Sequence, residues 1–313
     1  MEKTMKEETR IVLERFQVRK SRKQKEAFWA WLCPLLREKG YEPEIRLAKG
    51  LVKSYNIVVG DPDAADVIFT AHYDTCAVLP LPNFITPRNL LWYLLYQLLL
   101  CLPMFLSAIA AEVVLLHLNA PFWSAIAAVY LVLGFCVWWV IDGRANRHTA
   151  NDNTSGVMTL LELLLTLPEE LRGKVCVVFF DNEEKGMFGS AGFARQHKAV
   201  KRNKLLVNFD CVSDGDSIQL YPNRALKKES ETLALLERAF MPQGEKTVEV
   251  VRSFGFYPSD QRCFVRGAGV CALKKSRWFG YYMDKIHTRR DCAFDEKNIA
   301  LLCAGAIRLA EQI

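Results

Sequence analysis

The sequence predicts an α/β fold, a mainly parallel mixed sheet sandwiched by helices, and three observations carry that expectation. Short apolar runs of strand length recur at Val67 to Thr70, Lys174 to Phe180 and Leu205 to Phe209. Runs that are apolar throughout read as strands covered on both faces, the habit of parallel sheets. Helical spacing intervenes, most clearly from Val157 to Leu167, and each strand candidate empties into a polar cluster. Open α/β sheets keep their sites at such carboxyl ends.

In chain order, the segment Ile11 to Leu36 shows helical spacing of Val12, Phe16, Ala27, Trp29, Trp31 and Leu32, broken by the basic run Arg19-Lys20-Ser21-Arg22-Lys23. It is expected to pack on the sheet. That run and Lys201-Arg202-Asn203-Lys204 concentrate the net charge of +6 and read as solvated helix faces, with attraction to anionic headgroups as the next option. Basic runs also bind phosphate, but no aromatic stacking positions are interleaved here, so nucleic acid is not an expected partner. Strand candidates Thr247 to Arg252 and Val270 to Leu273 and a helix from Glu296 to Gln312 complete the pattern. Asp214 and Asp216 around Gly215 read as turn formers, and His148 and His197 as loop and surface residues.

The polar clusters are chemically coherent. The first strand delivers Ala71-His72-Tyr73-Asp74-Thr75, the second Asp181-Asn182-Glu183-Glu184-Lys185-Gly186-Met187-Phe188-Gly189-Ser190, and the third ends on Asp210. Between them, the turn Asn151-Asp152-Asn153-Thr154-Ser155-Gly156 feeds a helix, and late in the chain Ile286-His287-Thr288-Arg289-Arg290-Asp291 supplies another imidazole. Imidazole and carboxylate are the nitrogen and oxygen ligands of zinc. Three protein ligands per metal with one shared carboxylate suit two ions about 3.5 to 4 Å apart. Adjacent residues at a strand end point in different directions, so one of Glu183 and Glu184 can bind metal while the other stays free as a base.

These motifs, His72-x-Asp74, Asn151-Asp152-Asn153-x-Ser155-Gly156, Glu183-Glu184-x-Gly186-x-x-Gly189-Ser190, Asn208-Phe209-Asp210 and His287-Thr288-x-x-Asp291, resemble in type and order those of the dinuclear zinc exopeptidases. That family includes bacterial leucyl aminopeptidases, glutamate carboxypeptidases and, as divergent relatives, glutaminyl cyclases. The resemblance spans nearly all of the chain outside residues 86–142. It implies that His72, Asp152 and Asp210 hold one zinc, that Asp152, Glu184 and His287 hold the other, and that Asp152 bridges them. It implies Glu183 as the general base that moves a proton from the attacking water to the leaving amine. Asp74 is then expected to orient His72 without touching metal, and Asp260 to be a further supporting aspartate.

Two departures stand out. Some secreted aminopeptidases of the family place a tyrosine before the last histidine, where it stabilises the oxyanion; here that residue is Ile286, leaving zinc alone or Tyr257, Tyr281 or Tyr282 for that task. The second departure is a long insertion between Asp74 and Asp152. No charged residue occurs from Asn89 to Ala111 or from Val113 to Ile141, and the turn-like Leu118-Asn119-Ala120-Pro121 lies between the two stretches. Each stretch exceeds the roughly 20 residues that cross a bilayer. Trp92, Tyr93, Trp138 and Trp139 near the helix ends, with Trp123 near the turn, resemble an interfacial aromatic belt. The alternative is a soluble hairpin buried in a dimer interface, which would normally show a polar face. Gln97, Glu112 and His117 are the polar exceptions, the last two close enough to the turn to reach headgroups, and Pro103 is expected to kink the first helix.

The expected organisation is therefore a catalytic domain of residues 1–85 and 143–313 and an inserted transmembrane hairpin of residues 86–142, with the bilayer as a partner. The charged Met1 to Arg10 segment has no apolar signal-peptide core. Ten scattered cysteines without Cys-x-x-Cys spacing read as reduced thiols, and Cys76 and Cys211 adjoin the site motifs without being expected to bind zinc. Arg88, Arg144 and Arg147 flank the hairpin base while the far turn has no lysine or arginine, which places the catalytic domain in the cytoplasm. The expected function is a membrane-anchored zinc exopeptidase acting on peptides, with an aminopeptidase leading. A carboxypeptidase, a dipeptidase, a glutaminyl cyclase and a non-catalytic membrane receptor or scaffold with this fold are the alternatives.

Overall fold

Ser21 divides the N-terminal helical segment in two. Its hydroxyl accepts the Gln24 amide at 3.3 Å while the Gln24 side chain accepts the Ser21 amide at 2.8 Å, a reciprocal cap that starts a new helix inside the basic run. Helix α1 is accordingly Glu7–Arg15 and α2 is Arg22–Glu38. The computed structural model describes residues 5–313, so Met1 to Thr4 of the charged N-terminal stretch lie outside the described residues.

Arg22 and Lys23 of the basic run are exposed, as a solvated face requires, but two neighbouring cations are not. Arg19 is fully buried, and Lys25, one turn into α2, is 7 % exposed and ion-paired with Asp181. Arg19 reaches across the fold to donate to the Tyr73 carbonyl at 2.6 Å and the Thr154 hydroxyl at 3.3 Å. A buried guanidinium costs several kcal/mol in desolvation unless such partners meet it, and here they are main-chain and hydroxyl oxygens of the site loops.

The sheet comprises β1 (Pro43–Ala48), β2 (Ser54–Val59), β3 (Val67–His72), β4 (Val175–Phe180), β5 (Leu205–Phe209), β6 (Ser217–Pro222), β7 (Thr247–Val250), β8 (Gly267–Ser276) and β9 (Gly280–Tyr282). Its order is β1-β2-β4-β3-β5-β8-β6-β7, with β9 paired to β8. Strands β4, β3, β5 and β8 run parallel at the centre, and antiparallel pairs close both flanks. Every residue of β3, β4 and β5 is buried, as strands covered on both faces require.

Alternation along β3 feeds two cores. Val67, Phe69 and Ala71 face the larger layer made with α1, α2, α5 (Gly156–Thr166), α8 (Ser230–Ala239) and α9 (Glu296–Gln312), where Phe69 stacks on Phe209 at 5.9 Å between ring centroids. Ile68 faces the other layer with Phe193 of α6 (Phe188–Gln196) and Val200 of α7 (Lys198–Asn203). Because β3, β4 and β5 share direction and register, their carboxyl ends emerge side by side.

Between β3 and α5 the chain forms two long antiparallel helices, α3 (Leu90–His117) and α4 (Phe122–Asp142). Pro103 lies inside α3 without ending it. Both helices are long and apolar enough to cross a membrane, and only 6 % of each most apolar window is buried. Ala108 and Ala125 are the buried residues of the pair. The base of α3 docks on the segment that follows β3 through Tyr96, whose hydroxyl donates to the Pro82 carbonyl at 2.8 Å, and through Gln97, whose amide donates to Asn83 at 3.1 Å. The base of α4 is pinned by an isolated bridge between Ala77 and Ala145 and by bonds from Val78 to the Arg144 carbonyl and from Asn146 to the Cys76 carbonyl.

Candidate metal centre

Asp152 sits between two imidazoles. Its Oδ1 lies 3.4 Å from His72 Nε2 and its Oδ2 lies 3.1 Å from His287 Nε2. Asp210 Oδ1 is also 3.4 Å from His72 Nε2, and Glu184 Oε2 is 3.3 Å from His287 Nε2. The structure thus brings together His72, Asp152, Glu184, Asp210 and His287, drawn from the ends of β3, β4 and β5 and from two loops. They fall into two groups, His72 with Asp152 and Asp210, and His287 with Glu184 and Cys76.

The neighbouring motif residues hold these groups in place. Asp291 accepts the amides of Asn151 and Asp152 at 3.0 Å each. Asn151 Oδ1 accepts the amides of Ser213 and Asp214 at 2.7 and 3.0 Å, and Asn153 reaches the Phe209 carbonyl at 3.0 Å, so the Asp152 turn and the Asp210 loop are tied together. Gly156 is required because a Cβ there would lie 2.3 Å from the Phe209 carbonyl oxygen; at Gly189 it would lie 2.2 Å from that of Asp181. Asn182, Met187, Cys211 and His287 all have positive φ, between 55° and 63°, which places four left-handed non-glycine residues around one site. Such residues concentrate where the surrounding structure over-determines the backbone.

Asp74 is arranged differently from the expected imidazole contact. His72 Nδ1 meets the Asp74 main-chain oxygen at 3.1 Å, while the Asp74 carboxylate lies 3.6 Å from that nitrogen. The carboxylate instead accepts the amides of Glu183 and Glu184 at 3.0 and 3.2 Å. Arg19 closes the same loop from behind, its amide donating to the Thr75 hydroxyl at 3.0 Å. Among the three tyrosines, Tyr257 is at the centre, donating to the Asp210 carbonyl at 3.0 Å. Tyr281 lies under Arg88 and Lys275, and Tyr282 packs with Phe84 and Phe279. Ile286 is buried.

Five carboxylates, Asp152, Glu183, Glu184, Asp210 and Asp260, and two imidazoles in one largely buried cluster make a strongly cation-seeking field. Burial pushes the Glu184 carboxyl up to about 8, with the Asp152 charge adding to it. Burial likewise holds Glu183 well above the usual range, against the pull of His72 and with Asp260 and Asp210 adding. Buried Asp260 itself rises to about 7 through desolvation. Burial disfavours a charged His287, yet Glu184 and Asp152 outweigh it and push its pKa up to about 9. Glu184 Oε1 and Asp210 Oδ1 are buried with no hydrogen-bond partner. Unpaired carboxylate oxygens beside imidazole nitrogens are a donor set that fits zinc. Cys76 is buried near Glu184 and His287, and burial, with the charges of Glu184 and Asp152, raises its thiol well above the usual range.

A carboxylate and imidazole cluster at the carboxyl edge of a parallel α/β core, with a free glutamate beside it, defines a zinc-dependent hydrolase. The chain belongs to peptidase family M28, whose model matches residues 140–305, just over half of its length, and it is a zinc metallopeptidase. The match contains Asp152, Glu183, Glu184, Asp210 and His287; His72 and Asp74 lie before it. A comparison with curated proteins finds no match. Among solved structures, a Porphyromonas gingivalis glutaminyl cyclase is 15 % identical at a TM-score of 0.60, over 98 % of this chain and 97 % of the other. A leucine aminopeptidase precursor from Bacteroides thetaiotaomicron is 13 % identical at a TM-score of 0.59, over 98 % and 96 % of the two chains. A Zn-dependent exopeptidase from Parabacteroides distasonis is 14 % identical at a TM-score of 0.56, over 97 % and 96 %. These likenesses establish the α/β fold.

Proposed function

We propose that this chain is a membrane-anchored zinc exopeptidase of the aminopeptidase type, and the observation that carries the reading is the Asp152 carboxylate with one oxygen turned to each imidazole. In this reading His72, Asp152 and Asp210 would hold one zinc, and Asp152, Glu184 and His287 would hold a second. When bound, zinc supplies an acidified water and a Lewis acid for the scissile carbonyl. Glu183 accepts the proton of the attacking water and hands it to the leaving amine. Asp74 positions that base through its hydrogen bond to the Glu183 amide. Tyr257 is committed to the Asp210 carbonyl, which makes it a positioning residue for that loop.

The presence of Glu183 next to a complete ligand set supports an enzyme over a receptor or scaffold. Purified full-length protein assayed for zinc content and against free-amine, N-acetylated and glutaminyl peptides tests the reading. Release of the first residue from free-amine peptides alone supports it. Cleavage of blocked peptides from the carboxyl end, cyclisation of glutaminyl peptides, or zinc binding without turnover would each replace it with the corresponding alternative.

Residues 86–142 are the anchor in this reading, and residues 1–85 and 143–313 the catalytic domain. Almost wholly lipid-accessible helices without a polar face support that division. Exposed Arg144 and Arg147, together with Arg88, flank the base while the turn at Leu118 to Pro121 carries no cation, and all ten cysteines are free. Both features favour a cytoplasmic catalytic domain.

A further inference from the structure

The turn joining β8 to β9 has no role in the chemistry above, yet its composition is unusual. The two strands pair Lys274 with Tyr282, Lys275 with Tyr281 and Ser276 with Gly280, leaving Arg277, Trp278 and Phe279 at the tip. Gly280 takes the positive φ of 74° that so tight a turn needs. Trp278 is 75 % exposed, a large cost in water for a ring of this size. Arg277 and Lys275 are exposed as well and, among the described residues, meet the Trp278 and Tyr281 rings at 5.7 and 5.6 Å.

Phe279 sets the depth of this tip. Its ring packs edge-on against Trp92, in the first turn of α3, at 5.3 Å, and against Phe84 at 5.2 Å. Trp92, Phe84 and Phe279 join Leu95, Tyr96 and Leu99 around an almost wholly apolar cavity of about 490 Å³. That is a volume typical of a small-molecule site. This apolar pocket lies along an apolar, exposed helix and is closed by Phe279; the same tip carries the exposed Trp278 and Arg277, and Lys275 is exposed one pair back on the ladder face of Tyr281. That combination matches one ligand chemistry: a hydrocarbon chain ending in an anionic headgroup.

We propose that the β8–β9 tip and the first turns of α3 form a binding site for an anionic glycerophospholipid, with its acyl chain in the cavity and its headgroup against Lys275 and Arg277. The proposal rests on the reading of α3 and α4 as a membrane anchor. Its location gives it reach: β9 runs directly into Met283, which bridges to Ile85, and Ile286 accepts the Asn83 amide at 3.2 Å immediately before His287.

Native mass spectrometry of the full-length protein in detergent micelles, titrated with phosphatidylglycerol or phosphatidylcholine of matched chains, tests the site. The parent is expected to retain phosphatidylglycerol at least about tenfold more tightly. The exposed double change Lys275→Glu and Arg277→Glu removes that preference and leaves phosphatidylcholine binding unchanged, since attraction to anionic lipid scales with each nearby cation. Leu99→Trp, which fills the cavity from an exposed position, weakens both lipids. Equal retention of the two lipids by the parent, or a preference that survives the charge reversal, overturns the site. Extraction of membranes with alkaline carbonate tests anchoring separately: protein that stays in the membrane yet shows no phosphatidylglycerol preference refutes the lipid site alone.

Discussion

The Asp74 carboxylate accepts the Glu183 main-chain amide at 3.0 Å, so the end of β3 physically carries the loop that follows β4. His72 and Glu183 are thereby held in one frame although 110 residues separate Asp74 from Glu184, whose amide binds the same carboxylate at 3.2 Å.

Proton transfer and metal binding separate cleanly by mutation. Glu183→Gln is expected to keep its full zinc content and lose turnover by at least about a hundredfold. Asp152→Ala removes a carboxylate that faces both His72 and His287 and is expected to lose metal. Atomic absorption alongside peptide turnover reads both; a metal-free Glu183→Gln protein would contradict the division of labour.

Asp74→Asn presents an amide where two backbone amides now donate. One donor is left facing another, and the Glu183–Glu184 loop shifts. Zinc affinity or turnover is expected to fall by about 10- to 100-fold, the range found for groups that orient ligands. Unchanged zinc affinity and turnover would show that the loop is held by other contacts.

Arg19→Met leaves the Tyr73 carbonyl and the Thr154 hydroxyl without their buried donor. A loss of about 3 kcal/mol is expected, in keeping with removal of one side of a buried charged contact. Thermal unfolding in detergent reads it as a drop of roughly 6 °C or more in Tm. A Tm within a degree of the parent would mean that solvent or a neighbour replaces the guanidinium.

Replacement of residues 86–142 by a short Gly/Ser linker is expected to release a soluble protein that retains zinc, because the bridge between Ala77 and Ala145 already closes the neck. The parent is expected to resist alkaline carbonate. Parent protein recovered in the carbonate supernatant would identify the helices as a soluble or peripheral element.

Orientation is read by a cysteine at Asn119, in the far turn, with Cys101 and Cys136 replaced. A membrane-impermeant thiol reagent is expected to label it on intact cells and to spare a cysteine at Lys201. The reverse pattern would invert the topology.

Much of this arrangement was legible in the sequence because the central strands allow few other readings. Val175 to Phe180 is apolar at every position, and a segment of that kind ending in Glu183-Glu184 both names a strand and locates its active edge. Flanking strands were harder. In β1, Glu44 is exposed and Arg46 partly so, and β6 buries Gln219, so neither shows a clean period. Arg19 and Lys25 were hidden for a different reason: their partners, Tyr73, Thr154 and Asp181, lie far along the chain, and a cation in a basic run looks the same whether it meets water or a carbonyl. Cys76 lies beside Glu184 and His287, with its carbonyl accepting the Asn146 amide, a neighbourhood that sequence spacing does not show.

The neck at Ala77 and Ala145 has one more consequence. Ala77 follows His72 and Ala145 precedes Asp152 by less than three helical turns of sequence, and the loop of His287 is tied to the same segment by the Leu79 amide, which donates to the His287 carbonyl. With the hairpin in a bilayer, the catalytic cleft is held at a fixed height above the lipid surface and moves only laterally. For a substrate that is itself membrane-associated, encounter then becomes a two-dimensional search governed by how many chains are tethered per unit area of membrane, whereas a freely diffusing peptide still arrives from the bulk in three dimensions.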